Sequence, residues 1–210
     1  MGISLGIVGL GAFGSGFVRP FKFHPLVDRL ALCDRETERV RRFVDDPLLR
    51  DKFDPADVYA TLEEICAAEI DALAIITQPW LHAEQAIQAL QAGKHVYSAV
   101  PIVTVPDGSE TLDWCDKLVA AVEHSGKRFM LGETTFFKPE AMYCRRQHAA
   151  GGFGTIVFAE GEYYHDVDSP GCNLRDVRAH RLKSAAGREW AARGHSDLTA
   201  PMHYPTHSVS

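Results

Sequence analysis

The chain has little of what marks several large protein classes. It has no excess of positive charge: 22 basic against 28 acidic side chains leave a formal net charge of −6 over 210 residues. That balance gives no electrostatic footprint for nucleic acid or for an anionic membrane surface. Basic residues do gather at Arg35, Arg39, Arg41 and Arg42, but Glu36, Glu38, Asp45 and Asp46 interleave them, the pattern of a solvated helix face. Cysteine is sparse and unpaired in pattern. Cys33, Cys66, Cys115, Cys144 and Cys172 are odd in number, scattered and without a CxxC pair, which fits reduced thiols in the cytoplasm better than a disulfide framework or a zinc site. No basic stretch leads into an apolar run, so neither a secretory signal nor a membrane span is expected, and Gly6 stands where a myristoylation signal needs Ser or Thr. Internal repeats and low-complexity tracts are also missing. A cytoplasmic protein with a small-molecule partner, and no nucleic-acid or membrane partner, is the expectation.

With 46% hydrophobic residues the chain can bury a substantial core. Its most informative stretch is the first. A strand from Ile3 to Val8 runs into Gly9-Leu10-Gly11-Ala12-Phe13-Gly14, and a carboxylate, Asp34, follows twenty residues after Gly14 at the end of a second strand. Gly9 suits the tight turn out of the strand, Gly11 lets backbone approach a pyrophosphate, and Gly14 lets the next helix pack on the sheet. The helix start then offers N–H groups and a partial positive charge to phosphates. Asp34 would accept from the ribose hydroxyls of NAD and repel a 2′-phosphate, while Arg35 beside it could stack on adenine or tolerate that phosphate, leaving NADP open.

The α/β alternation continues. A charged helix-like stretch from Glu36 to Asp46 precedes a loop, and Thr61-Leu62-Glu63-Glu64 has capping-box spacing. Asp71 to Ile76 is a near-continuous apolar strand, and Ala83, Ala86, Ile87 and Leu90 recur at helical spacing until Gly93. A strand at His95-Val96-Tyr97 follows. Next comes a helix with Leu112, Cys115, Leu118, Val119 and Val122 on one face, then a strand from Arg128 to Leu131. Such units imply a doubly wound parallel sheet with right-handed crossovers. Beyond Gly132 the character changes: a helix from Pro139 to Ala149, a glycine break, and a long strand from Thr155 to Tyr164. The fold class is therefore α/β, a doubly wound parallel Rossmann sheet over residues 1–128 followed over 129–210 by the first part of an α+β substrate and oligomerisation domain.

Two further segments, Thr77-Gln78-Pro79-Trp80-Leu81-His82 and Ala92-Gly93-Lys94-His95-Val96, together with the opening glycines, resemble the Gfo/Idh/MocA family of NAD(P)-dependent sugar-type oxidoreductases. The resemblance implies that Thr77, Pro79 and His82 hold the cofactor loop, along with Gly9, Leu10, Gly11, Ala12, Phe13, Gly14, Asp34 and Arg35. It also marks a departure. Where the family usually has Glu-Lys-Pro beside the nicotinamide, this chain has Ala99-Val100-Pro101. Pro101 can keep the turn, but Val100 has no proton to exchange. The family's D-x-x-x-H histidine matches His207, with His203 in place of the aspartate.

Gly161 to Asp166 and Tyr204-Pro205-Thr206-His207 also resemble a divergent branch, the NAD-dependent glycosidases of the α-N-acetylgalactosaminidase type. In an ordinary oxidoreductase His207 would be the base that takes the hydroxyl proton. In the glycosidase reading transient oxidation of a ring hydroxyl acidifies a neighbouring C–H, a tyrosinate or histidine removes that proton, and elimination, water addition and re-reduction follow. Tyr163, Tyr204 and His207 match the residues which that resemblance implicates. The family continues well past the His207 motif, so a C-terminally truncated chain is expected, with homo-oligomerisation belonging to the full-length form. A non-catalytic dinucleotide-binding sensor or interaction protein is the third reading. His165, Asp166, Asp168, His203 and His207 are conceivable metal ligands, but Pro205 interrupts any helix joining the last two, and no metal is expected.

Overall fold

The computed structural model describes residues 2–163, 181–195 and 207. Strands β1 (Ile3–Val8), β2 (Val27–Cys33), β3 (Phe53–Tyr59), β4 (Ala72–Ile75), β5 (His95–Ser98) and β6 (Phe129–Leu131) form one parallel sheet in the order β3-β2-β1-β4-β5-β6. Both faces are covered. Leu5 and Ile7 of β1, Leu30 and Leu32 of β2 and Ala74 of β4 pack with Val18 of α1 (Val18–Phe23) and with Val40 and Phe43 of α2 (Glu38–Val44). Their sequence neighbours Val8, Ala31, Cys33, Leu73 and Ile75 turn to the opposite face. There they meet α3 (Leu62–Ala67), α4 (His82–Gln91) and α5 (Gly108–Ser125). Alternation within strands that are apolar throughout is what a sheet sandwiched between two helical layers requires. Helix α6 (Pro139–Ala149) follows the sheet, and α7 (Ala185–Ala192) returns to it.

The signals that start and stop these elements are local. Thr61 Oγ1 accepts from the Glu64 N–H at 3.2 Å and the Glu64 carboxylate accepts from the Thr61 N–H at 3.1 Å, so the expected capping box starts α3. Gly93, at φ +78°, ends the turn after α4. The sheet runs to Leu131, so β6 lies just past the expected boundary at residue 128.

Three expectations differ from the structure. The loop after α2 contains a whole strand, β3, which Pro55 disguises. Leu30 pairs with Phe53 but Leu32 pairs with Val58, so the chain bulges around the proline, and β3 lies at the sheet edge where a missing N–H is tolerated. Helix α5 buries Leu118 and Ala121, while Leu112 and Val119 are exposed. Ala121 shares a cluster with Ala86 and Ala89 of α4, and small side chains set the line along which two helices approach. Residues 155–163 form no strand: Val157 is 92% exposed and Phe158 77%, with no ladder partner among the described residues to satisfy an extended backbone.

Candidate functional site

From β1 the chain passes to β2 and β3 on one side, and β4 to β6 lie on the other, so a crevice opens at the carboxyl ends of β1 and β4. A cavity of about 850 Å³ lies there. Its floor is the glycine loop. Gly9 sits at φ +94°, and a Cβ on it would lie 2.5 Å from the Ile76 carbonyl oxygen. A Cβ on Gly14 would lie 1.9 Å from the Gly9 carbonyl oxygen. Both positions therefore exclude a side chain. Gly11 differs, since a Cβ there would face open space, with Arg39 Nη1 nearest at 3.9 Å. The loop is closed at its two ends and open in the middle, and Gly11, Ala12 and Phe13 line the cavity.

Leu10 points away, fully buried, and its backbone fixes the loop. Its N–H donates to Asp34 Oδ2 at 2.7 Å, and its carbonyl accepts from Arg42 Nη2 at 2.8 Å. The other Asp34 oxygen accepts from the Glu36 N–H at 2.8 Å. Asp34 lines the cavity, but its shortest bonds go to the protein's own backbone, and the remaining lone pairs are what a ribose hydroxyl could use. The arginine cluster is not the uniform solvated face that its sequence describes. Arg41 pairs with Glu38 in solvent, yet Arg42 anchors Leu10, and Arg39 bonds Glu36 at 2.8 Å and lies 3.6 Å from Asp34. One helical turn carries inward and outward positions alike, and residue type alone does not tell them apart.

The middle of the cavity is braced by His82. This side chain is 2% exposed, with Nδ1 at 2.7 Å from the Pro101 carbonyl and Nε2 at 3.3 Å from the Thr77 carbonyl. Burial pushes its pKa below the ordinary histidine value, so the neutral ring donates from Nδ1 across the shorter contact. It thereby ties the loop after β4 to the cis Val100–Pro101 peptide. Thr77, whose hydroxyl donates to Gln85 Oε1 at 2.5 Å, lines the cavity with Pro79, Ala99 and Val100, while Pro101 stays behind them.

At the far end the chain brings together residues distant in sequence. Glu133, 6% exposed just after β6, accepts from the Thr135 N–H at 2.8 Å and faces His207 Nδ1, also at 2.8 Å. The Tyr163 ring lies 4.8 Å from the His207 ring, and both line the cavity beside Val100. Tyr97 lines it too, its hydroxyl pressed against Gly132, and burial with help from the Glu133 charge pushes that phenol's pKa up. Sequence reasoning missed Glu133 and Tyr97. The position of Glu133 just beyond the end of a parallel strand is the signal that could have found it. Tyr204 lies outside the described residues, as do His165, Asp166, Asp168 and His203. Among the described residues no group of three or more His, Cys, Asp or Glu could hold a metal ion, and no helix is long and apolar enough to cross a membrane.

Helix α7 roofs the Asp34 end. Ser184 caps it, accepting from the Gly187 N–H at 3.0 Å, and receives Gln78 Nε2 at 3.3 Å. The Ala185 N–H donates to Glu36 Oε1 at 3.1 Å, and Trp190 stacks on Trp80 with ring centroids 4.9 Å apart. Glu189 takes Arg35 in a two-pronged ion pair, at 3.0 Å to Nη1 and 2.8 Å to Nη2. No local sequence signal announces this roof.

Comparison with known proteins agrees with this fold. The chain is 30% identical over 171 residues to a glycosyl hydrolase family 109 protein of Porphyromonas gingivalis, a match covering 79% of this chain and 35% of the relative. It is 24% identical over 212 aligned positions to an alpha-N-acetylgalactosaminidase of Shewanella oneidensis, covering 99% of this chain and 42% of that protein. The chain thus spans less than half the length of these curated relatives. Among solved structures, scyllo-inositol dehydrogenase from Lactobacillus casei with bound NAD(H) and scyllo-inositol superposes with a TM-score of 0.67 at 20% identity, over 89% of this chain and 51% of that one. That likeness is one of fold. A family model described as an oxidoreductase family with an NAD-binding Rossmann fold, GFO_IDH_MocA, matches residues 3–133, and the chain belongs to that family.

Proposed function

We propose that the chain binds NAD and serves the oxidation of a hydroxyl group on a sugar, a polyol or a related small molecule, with His207 as the proton acceptor. The observation that carries this reading is that one cavity is lined by the glycine loop, Val100 and His207, whose Nδ1 meets Glu133. The residues fit the cofactor: the space over Gly11 is open where backbone must approach a pyrophosphate, and Asp34 at the end of β2 favours a ribose with free hydroxyls. Bound there, NAD+ supplies a two-electron hydride acceptor. Glu133 holds the imidazole of His207 at Nδ1, and that oriented ring is the group that takes the hydroxyl proton. Val100 cannot share that task, so the imidazole replaces the lysine expected there.

A second reading, redox-neutral glycoside cleavage, is favoured by the contact of the Tyr163 ring with His207. Two proton-transfer groups side by side suit a reaction that removes one proton from a hydroxyl and another from a neighbouring carbon. The names of the glycosidase relatives support the same reading.

The test begins with gentle purification, denaturation and mass analysis for released NAD(H), followed by incubation with sugars and with aryl glycosides. NADH formation that depends on a sugar supports the oxidoreductase. Hydrolysis without added cofactor and without change in nicotinamide absorbance supports the glycosidase. Binding with neither activity leaves a non-catalytic sensor. Val100→Lys separates the first two, because a rise in dehydrogenase turnover would count against the elimination route.

A further inference from the structure

Arg35 follows the β2 carboxylate directly and lines the cavity, the place from which a guanidinium accommodates the 2′-phosphate of NADP in dinucleotide folds. Its fork is already filled. Both Glu189 oxygens lie on it, at 3.0 and 2.8 Å. Glu189 is held there by more than this pair, since α7 is anchored by the Trp80–Trp190 stack, by Gln78 on Ser184 and by the Ala185 N–H on Glu36. Arg39, the other guanidinium beside this end, is engaged in the same way by Glu36 at 2.8 Å, with Asp34 at 3.6 Å. Three carboxylates thus surround two guanidiniums, and an incoming phosphate would meet paired cations and net negative charge.

We propose that Glu189 is a cofactor-specificity residue: by occupying Arg35 it withholds from NADP a contact that would favour it and so sets the preference for NAD. The inference rests on reading the cavity as the dinucleotide site. It assigns the choice of cofactor jointly to β2 and to a helix 154 positions away from Arg35, rather than to Asp34 alone. NAD, with two bare hydroxyls at its adenosine ribose, needs nothing from Arg35.

The test is titration of the whole chain with NAD and with NADP, followed by tryptophan quenching or calorimetry, for wild type, Glu189→Gln and the double variant Arg35→Ala/Glu189→Gln. Both partners of the pair are about half exposed, so Glu189→Gln should fold normally, and a melting curve checks this. The single variant should bind NADP about fivefold more tightly with NAD affinity nearly unchanged, the most that an exposed ion pair provides, and the gain should shrink at high salt. The double variant should lose that gain. An unchanged ratio of the two affinities in Glu189→Gln would overturn the proposal, as would equal weakening of both cofactors, which indicates a clasp without specificity. Failure of wild type to bind either nucleotide would remove the site reading itself, and this role with it.

Discussion

The glycine-loop floor of the cavity is assembled between β1 and α2, whereas the His207 end gathers side chains from β5, from Glu133 just after β6, and from Tyr163 and His207. At the first end the work is done by backbone: Gly9 and Gly14 have no room for a Cβ, and Asp34 and Arg42 hold the two sides of the Leu10 peptide. At the second it is done by side chains, with a buried carboxylate aiming an imidazole beside a phenol. On the proposed reading, the first arrangement fixes where a cofactor lies, and the second decides what happens to whatever lies beside it. Substitutions should therefore separate the two ends, with stability or cofactor binding failing at one and turnover failing alone at the other.

The largest effect belongs to Gly9→Val. It forces a branched residue to positive φ with its Cβ against the Ile76 carbonyl, and should cost roughly 3 kcal/mol or more in urea unfolding. At the opposite end, His207→Ala should lower turnover by about 10²- to 10⁴-fold while NAD affinity stays within about twofold, as measured by steady-state rates and titration. Equal loss of both would erase the distinction between the ends.

His82 joins them, and pH reads it. Its folded-state pKa lies below the unfolded value, so the unfolded chain takes up the proton first, and its contribution is intact above about pH 6.5 and is lost as pH falls below that. His82→Gln should remove up to about 1.4 kcal/mol per pH unit from the acid-side slope of stability, checked by denaturant melts across pH 5 to 7. The smallest contrast is within α2. Arg42→Ala, which releases the Leu10 carbonyl, should cost about 1 kcal/mol, and Arg41→Ala, which breaks only a solvated pair, less than about 0.5.

The same contrast governs how much could be read in advance. The opening strand, the three glycines, the Thr61 capping box and the stop at Gly93 were legible because each is dictated by neighbours a few residues away. Strand β3 was not, because Pro55 suppresses the strand pattern and only the sheet edge tolerates it. The inward turn of Arg39 and Arg42 depends on where α2 lands, which charge alternation alone leaves open. Tyr163 and His207 could be named from motif resemblance, and they do meet in the cavity. Glu133 and Glu189 belong to no such motif, and they acquire their partners across 74 and 154 positions respectively, so only the place of Glu133 beyond a strand end hints at it. Segment 155–163 carried a strand's alternation, yet alternation describes a face and supplies no ladder partner.

If a dinucleotide lies over the open middle of the glycine loop, Gly11→Val should separate folding from binding. A Cβ at Gly11 meets no protein atom closer than 3.9 Å, so the fold should accept valine with little change in its melting temperature. Titration with NAD should then show affinity reduced by about 100-fold or more, because the side chain fills the space a pyrophosphate needs. A well-folded Gly11→Val protein that binds NAD as tightly as wild type would mean that the dinucleotide does not lie over this loop.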